Sequence, residues 1–289
     1  MSSLPSSTHE GAQPQHQPQQ DEDKSSKEHQ ANGEENEEES SQLKTSLYFD
    51  TEVVDLAHHP HANMGVEYKF GPNVIDLDLT HCGLKKIENI QHLTQLRILR
   101  LRQNLLTSIE EHGTGLECCS ELEHLDLYDN QLKTSTISVE LFNRHLTKLS
   151  LLDLSFNQLR HCLIGLDLPQ LEELYYVNNK IKKIDAGAFD HLPRLTMLEL
   201  GSNRIREIEN LEPLVQLEQL WLGTNKITQI KNLDHFVNLQ KLSIQCNRLV
   251  KMEGLSHLIN LTELYLSENG IERIEGLENL VNLKVLDVA

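Results

Sequence analysis

The chain has 289 residues and a formal net charge of −18, with 38% apolar residues but only 4% aromatic ones. A chain of this length can bury a sizeable core, which leucine and isoleucine must largely build. The acidic balance disfavours nucleic acid as a partner, because phosphates need a basic face. No apolar run approaches the roughly 18 residues of a membrane span, and the first forty residues contain no secretory signal. We therefore expect a protein of the nucleus and cytoplasm that binds neither nucleic acid nor membrane.

The first 45 residues differ in composition from the rest of the sequence. They are rich in Gln, Ser, Glu and His, and the segment from Asp21 to Ser40 carries nine acidic side chains. Such a segment cannot bury enough apolar surface to offset the entropy lost on ordering. Residues 1–45 are therefore predicted to be a disordered acidic tail. A plain solvated tail is favoured, and a regulatory tail phosphorylated at Ser25 or Ser26 is the alternative.

Residues 46–73 mix aromatic and aliphatic side chains with the cluster His58-His59-Pro60-His61. So many histidines suggest a metal site, but no carboxylate or cysteine stands at ligand spacing, and Pro60 opposes a helix that would align the rings. We interpret this segment as an N-terminal cap over the first repeat of the following domain, and we predict no metal or other cofactor.

Residues 74–289 carry a repeated pattern. The run from Leu198 to Asn203 recurs 22 residues later as the run from Leu220 to Asn225. This period, with the spacing L-x-x-L-x-L-x-x-N, is the signature of a leucine-rich repeat. Successive strand residues point to opposite faces, so the two leucines turn inward and the residue between them faces solvent. The asparagine follows where the chain leaves the strand, and its amide can bond backbone groups there.

The pattern occurs ten times, and no single repeat can bury its leucines alone. The predicted fold is an α/β leucine-rich-repeat solenoid, with ten strands in a curved parallel sheet on the concave face and short helical or 3-10 return segments on the convex face. Longer spacings precede Asn157 and Asn203, and they predict a short helix from Ser138 to His145 and a turn from Ala186 to His191. The sequence stops at Ala289 inside the tenth strand, so we expect the C-terminal cap to be missing.

The residue between the two inward leucines can be read for every repeat. The resulting row is acidic and aromatic, and large aromatics have no packing reason to face solvent. Its members predicted to bind a partner are Asp126, Asp153, Tyr175, Glu199, Trp221, Tyr265 and Asp287. Trp221 is the only tryptophan of the chain. A partner with a basic, grooved surface fits this row, and a row of partly self-packed, solvated side chains is the alternative.

The sequence carries none of the familiar catalytic patterns. It contains no phosphate-binding loop, nucleophile elbow, zinc signature or recognisable pair of nucleophile and base. We therefore predict that the protein is not an enzyme.

Several segments carry a family resemblance beyond the leucines, among them LDLSFNQL (152 to 159), MLELGSNRIREIENL (197 to 211) and LYLSENGIERIEGLENL (264 to 280). They resemble the leucine-rich-repeat regulatory subunit of protein phosphatase 1, of the regulatory subunit 7 type, over roughly residues 74 to 289. The resemblance implies a non-catalytic subunit that binds the phosphatase catalytic subunit through its concave face and modulates its activity, assembly or targeting. Carried over by position, it implicates Asp153, Tyr175, Glu199, Trp221 and Asp287.

The sequence also departs from that family. Tyr175 and Trp221 stand where the family tends to have phenylalanine, and the family continues beyond the position of Ala289 through further repeats and a cap. A basic-Val-x-Phe docking motif is absent from the sequence, which agrees with binding through a face. The expected partner is the phosphatase catalytic subunit, with other phosphatase regulators as further candidates. The alternative function is an intracellular scaffold for another complex, such as a ribonucleoprotein or axonemal assembly.

Overall fold

The computed structural model describes residues 46–59 and 67–289, so the predicted acidic tail and His61 lie outside the described residues. The described strands are β1 (Ser46–Phe49), β2 (Val53–Asp55), β3 (Glu67–Phe70), β4 (Asp76–Asp78), β5 (Ile98–Arg100), β6 (His124–Asp126), β7 (Leu151–Asp153), β8 (Glu173–Tyr175), β9 (Met197–Glu199), β10 (Gln219–Trp221), β11 (Lys241–Ser243), β12 (Glu263–Tyr265) and β13 (Val285–Asp287). Helical structure in this part of the chain consists of α1 (Val139–His145) and 3-10 turns at Leu116–Cys118 and Thr134–Thr136.

The strands form a parallel solenoid sheet. Its order is β2-β4-β5-β6-β7-β8-β9-β10-β11-β12-β13, and β1 pairs with β3 in a separate two-stranded sheet. Each neighbouring pair is in register, for example Leu198 opposite Leu220 and Leu220 opposite Leu242. The predicted leucine-rich-repeat solenoid is confirmed.

The number of strands was wrong, because the described sheet has eleven strands rather than ten. The additional strand is β2, which lies within residues 46–73, the segment predicted to be an N-terminal cap. Val54 of β2 lies opposite Leu77 and is 3% exposed, and Leu56 is also buried. The segment therefore supplies two inward side chains like any repeat. It escaped the pattern because no asparagine follows it.

The core follows directly from strand alternation. In the strands from β4 to β12 the middle residue is a leucine that is 0% exposed, and the residues on either side of it face the opposite way. At β13 this burial weakens: Val285 is 41% exposed, and Leu286 and Val288 are only partly buried against the core. β13 pairs with β12 on one side. The last strand is thus the least covered part of the described sheet.

The asparagines bond the backbone of two repeats at once. The Nδ2 group of Asn203 donates to the carbonyl oxygens of Tyr176, Leu200 and Gly201 at 2.8, 3.0 and 3.1 Å. Its Oδ1 accepts the N–H of Ile181 at 3.1 Å. These groups lie past the strand ends, where the side chain adds hydrogen bonds to those that the backbone makes, as at Gly201, whose carbonyl oxygen also accepts the N–H of Asn178 at 3.0 Å.

Cys82 occupies the asparagine position of the first regular repeat. Its Sγ donates to the carbonyl oxygen of Leu56 at 3.1 Å, and its N–H donates to Oδ1 of Asn104 at 3.1 Å. The thiol thus replaces one amide bond of an asparagine. Burial raises the pKa of this thiol to about 11, so it stays protonated and remains a donor.

The return segments contain the predicted short helix and the predicted turn. Helix α1 begins after Ser138, whose hydroxyl accepts the N–H of Leu141, and Leu141 and Phe142 pack into the core. A turn at Ala186 and Gly187 occupies the second site, where Gly187 adopts a φ of 80°. No helix among the described residues is long and apolar enough to cross a membrane.

Candidate functional site

The solvent-facing side of the sheet carries all seven predicted binding residues. Each is the last residue of its strand, and all seven are half-buried. The register sets Asp153 opposite Tyr175, Tyr175 opposite Glu199, and Glu199 opposite Trp221. With Arg100 at one end and Ser243 between Trp221 and Tyr265, these side chains form one continuous line, here named the concave row. Their role in binding stays a prediction.

The aromatic part of the row is centred on β10 to β12. The rings of Trp221 and Tyr265 stack with centroids 6.1 Å apart and an interplanar angle of 22°. Ser243 lies on the strand between them and is only 2% exposed. The two rings therefore form a platform above a small side chain, rather than two independent solvated groups.

A shallow cleft of about 180 Å³ lies beside this platform. Trp221, Glu199 and Ser243 line it together with Gly201 and Gly223. A side chain at Gly201 would bring a Cβ atom within 2.5 Å of Oε1 of Glu199, so the glycine leaves room for this carboxylate. An aromatic wall next to a carboxylate is an arrangement that suits a cation or a hydrogen-bond donor.

The acids of the row are held by backbone hydrogen bonds at their own strand ends. Oδ1 of Asp153 accepts the N–H of Ser155 at 2.8 Å, and Oε1 of Glu199 accepts the N–H of Gly201 at 2.8 Å. Oδ1 of Asp126 accepts the N–H of Tyr128 at 3.0 Å. The carboxylates are thus fixed in orientation; Oδ2 of Asp126 is paired with Nε of Arg102 at 3.4 Å, and no partner within the described residues holds Oε2 of Glu199.

Burial raises the pKa values of these carboxyl groups. It raises the pKa of Glu199 to about 7 and that of Asp126 to about 6; at Asp126 the charge of Asp153 adds to the rise, and the bond from Tyr128 opposes it. Burial also raises the pKa of Asp153. Burial weakens the ionised form of these carboxyl groups, so a basic partner would stabilise that form on binding.

The tyrosines of the row are tethered to their own strands. The hydroxyl of Tyr175 donates to Oε2 of Glu173 at 2.6 Å, and that of Tyr265 donates to Oε2 of Glu263 at 2.8 Å. At the end of the row the hydroxyl of Ser267 donates to Oδ2 of Asp287 at 3.0 Å. These contacts fix the rings and limit the entropy that binding would cost.

A second group of exposed side chains on this side was missed by the sequence analysis. The guanidinium carbon of Arg102 lies 4.3 Å from the ring centroid of Tyr128, and the rings of Tyr128 and Phe156 lie 4.6 Å apart. Phe156 has a φ of 54°, which is costly for a bulky residue. Reading the alternation two residues past each strand would have found Arg102 and Tyr128.

Potential metal ligands are dispersed over the described residues. No group of three or more His, Cys, Asp or Glu side chains within residues 46–59 and 67–289 is placed to hold a metal ion. The rings of His58 and His81 lie 5.3 Å apart near the start of the sheet, and Pro60 and His61 lie outside the described residues. What the row can do is present aromatic and acidic side chains to another molecule.

Comparison with known proteins identifies the structural class of this chain. Family models for the leucine-rich repeat match residues 169–227, 237–279 and 259–289. The solved structure of the internalin InlF from Listeria monocytogenes superimposes with a TM-score of 0.63 over 77% of this chain and 66% of that chain, at 26% identity. The protein is therefore a leucine-rich-repeat solenoid.

Two curated relatives narrow the class. The protein phosphatase 1 regulatory inhibitor subunit PPP1R7 homolog of Arabidopsis thaliana is 41% identical over 51% of this chain and 44% of its own length. The protein phosphatase 1 regulatory subunit SDS22 of Saccharomyces cerevisiae is 44% identical over 29% of this chain and 24% of its own length. The predicted resemblance to the phosphatase 1 regulatory subunits is thus confirmed. The chain spans less than half the length of these relatives.

Proposed function

We propose that this protein is a non-catalytic regulatory subunit that binds the catalytic subunit of protein phosphatase 1 through the concave row. The relatives named above are regulatory subunits of that phosphatase, which supports the partner. The surface itself supports the mode of binding, because it joins an aromatic platform to oriented carboxylates on consecutive strands.

The observation that carries the proposal is that Trp221 belongs both to the aromatic platform and to the wall of the cleft. Trp221 stacks on Tyr265 on one side and lines a cleft with Glu199 on the other. Interfaces draw most of their affinity from a few aromatic anchors that a partner can desolvate, surrounded by groups that exclude water. A basic side chain of the phosphatase would contact the ring and the carboxylate together.

The partner is tested by mixing this protein with purified phosphatase 1 catalytic subunit. We expect the two to co-elute as one complex in size-exclusion chromatography and the phosphatase to change its rate on a phosphoprotein substrate. Separate elution at micromolar concentrations, with an unchanged rate, would contradict the proposal and favour a scaffold for another complex.

The contribution of the acids is tested by charge reversal. Asp153 and Glu199 lie two strands apart and present one negative field to a basic partner. The double variant Asp153→Lys, Glu199→Lys should associate about tenfold or more slowly at low salt, and its rate should depend less on salt. Lys replacement of the exposed acids Glu212 and Glu253 is the control with the same change of net charge. Equal association rates for the two double variants would show that the acids of the concave row do not attract the partner and only keep the protein soluble.

A further inference from the structure

A line of cations runs along the edge of the solenoid just past the strand ends. These cations occupy positions one or three residues after the repeat asparagine, and each belongs to a successive repeat. The basic stripe, as we name it, consists of Lys133, Arg160, Lys180, Arg204, Lys226 and Arg248. The backbone N–H groups of Arg204, Lys226 and Arg248 donate to the preceding repeat at 2.8, 2.8 and 2.9 Å, so these residues stack one above another.

The stripe lacks counter-charges of its own. Within residues 46–59 and 67–289, none of its six cations forms an ion pair. Some other cations of this acidic chain are paired, for example Arg97 with Glu123 at 2.7 Å and Lys231 with Glu207 at 2.7 Å. Like charges on neighbouring repeats repel one another. An anionic ligand would relieve that repulsion.

The start of the stripe forms a cleft of about 310 Å³. Lys133, Arg160 and Lys180 come to it from three consecutive repeats, and Ser135 and Gln158 complete its polar lining. Neither the hydroxyl of Ser135 nor the amide of Gln158 has a hydrogen-bond partner within the described part of the chain. Three cations and two free donors surround one small volume.

The floor of this cleft is rigid. The hydroxyl oxygen of Thr134 accepts the N–H groups of Arg160 and His161 at 3.2 Å and donates to the carbonyl oxygen of His161 at 3.1 Å. Asp185, which contacts the cleft residue His161, is paired at 2.7 Å with both His161 and Lys183. The cleft therefore keeps a net positive charge in a fixed geometry.

We propose that the basic stripe binds an acidic protein segment carrying a phosphorylated serine or threonine, with the phosphoryl group in the cleft formed by Lys133, Arg160 and Lys180. A phosphoryl group carries nearly two negative charges and three acceptor oxygens, which match three cations and two neutral donors better than a carboxylate does. The planar guanidinium of Arg160 suits bidentate contact with it. The remaining cations of the stripe would contact acidic residues flanking the phosphorylated one.

The length of the stripe sets the length of the segment. Six successive repeats at about 4.8 Å per strand extend over about 24 Å, which an extended peptide covers with roughly seven or eight residues. Nucleic acid fits less well, since the stripe carries no aromatic side chain for base stacking and the chain as a whole has a net charge of −18.

The test uses the full chain and a fluorescent ten-residue peptide rich in Asp and Glu with one central phosphoserine. We expect binding in fluorescence anisotropy, at least tenfold weaker binding of the same peptide with unmodified serine, and at least tenfold weaker binding by the triple variant Lys133→Gln, Arg160→Gln, Lys180→Gln. The control triple variant, Lys86→Gln, Lys148→Gln, Lys284→Gln, changes the net charge equally at other exposed positions and should stay within about twofold of wild type.

Other outcomes would overturn the proposal. Equal affinity for the two peptides would show that the phosphoryl group is not recognised. An equal loss of peptide affinity in the two triple variants would show that binding depends only on the net charge of the protein. Tighter binding of a ten-nucleotide single strand than of the phosphopeptide would show that the partner of the stripe is nucleic acid and not a phosphorylated protein segment. Because the stripe lies outside the concave row, Trp221→Ala should retain phosphopeptide binding, so this test is independent of the proposed phosphatase interaction.

Discussion

Trp221 and Tyr265 stack across the strand that separates them, with ring centroids 6.1 Å apart. Strands two places apart in a sheet are separated by about 9.5 Å, so the two rings must lean toward each other. They can do so because the residue between them is Ser243, which is buried beneath them. The platform is therefore built into the free protein and need not form on binding.

The first prediction measures that stacking contact. A double-mutant cycle of Trp221→Ala and Tyr265→Ala should give a coupling of about 0.5 to 1.5 kcal/mol in the free energy of unfolding. Tyr175 lies two strands from Trp221 on the other side, and no stacking contact joins these two described residues. The control cycle of Trp221 and Tyr175 should therefore give a coupling below about 0.5 kcal/mol. Equal couplings in urea titrations would mean that the rings do not stack in solution.

The second prediction concerns the asparagine bonds. The Nδ2 group of Asn225 donates to three backbone carbonyl oxygens, and its Oδ1 accepts the N–H of Ile205 at 2.9 Å. Asn225→Ala leaves the buried N–H of Ile205 unpaired and removes one donor from each of the three carbonyl oxygens, so it should lower the free energy of unfolding by about 2 to 4 kcal/mol. Asn238 makes one exposed bond of 3.2 Å to the carbonyl oxygen of Val215, so Asn238→Ala should cost less than about 1 kcal/mol. Similar losses for the two variants would contradict this account of the fold.

The third prediction is a pH dependence at Glu199. Its folded pKa, raised to about 7 by burial, lies above the unfolded value, so its contribution to stability is full below about pH 4.5 and is lost as the pH rises through 7. Glu199→Gln should thus match wild type near pH 4.5 and exceed it by up to about 3 kcal/mol at pH 8. Chemical denaturation across that range measures the difference.

Glu263 supplies the control of opposite sign. Hydrogen bonds from Tyr265 and Lys241 hold the pKa of Glu263 below its usual value, so its contribution is lost as the pH falls. Glu263→Gln should therefore lose stability relative to wild type at neutral pH and approach it in acid. A pH-independent difference for Glu199→Gln would show that the carboxyl group is hydrated in solution.

The fourth prediction concerns the last repeats. β13 is paired on one side, and Leu286 and Val288 are only partly buried, whereas Leu200 and Leu222 are fully buried in the middle of the sheet. Coupling between neighbouring repeats stabilises a solenoid, so the final one or two described repeats should open first. Hydrogen exchange should be fast beyond about Asn269 and slow from Leu200 to Leu222. Uniform protection up to Ala289 would contradict this.

The repeat pattern predicted the architecture because leucine and asparagine positions are dictated by burial and backbone bonding. It located the inward leucines, the helix after Ser138 and the members of the concave row. It missed β2, whose Val54 and Leu56 fill the core without the asparagine that marks a repeat. It also missed the cluster of Arg102, Tyr128 and Phe156, because only one solvent-facing position per repeat was read.

Other features of the site could not come from the pattern. The stacking of Trp221 on Tyr265 depends on side-chain directions across two strands, which a one-dimensional periodicity does not contain. The raised pKa of Glu199 depends on how deeply its neighbours bury the carboxyl group, and Gly201 beside it matters only once the strands are stacked. The sequence analysis named Trp221, Tyr265 and Glu199 but not Gly201, and it gave no account of how these residues act together.

The most direct test of the central proposal, that the concave row binds the phosphatase catalytic subunit, is isothermal titration calorimetry with Trp221→Ala. Removing a central aromatic anchor costs an interface about 2 to 4 kcal/mol, so affinity should fall about thirtyfold or more while the melting temperature stays within a few degrees of wild type. Val237→Ala, which truncates an exposed apolar side chain outside the row, should bind like wild type. Undiminished affinity of Trp221→Ala for the catalytic subunit would contradict the proposal.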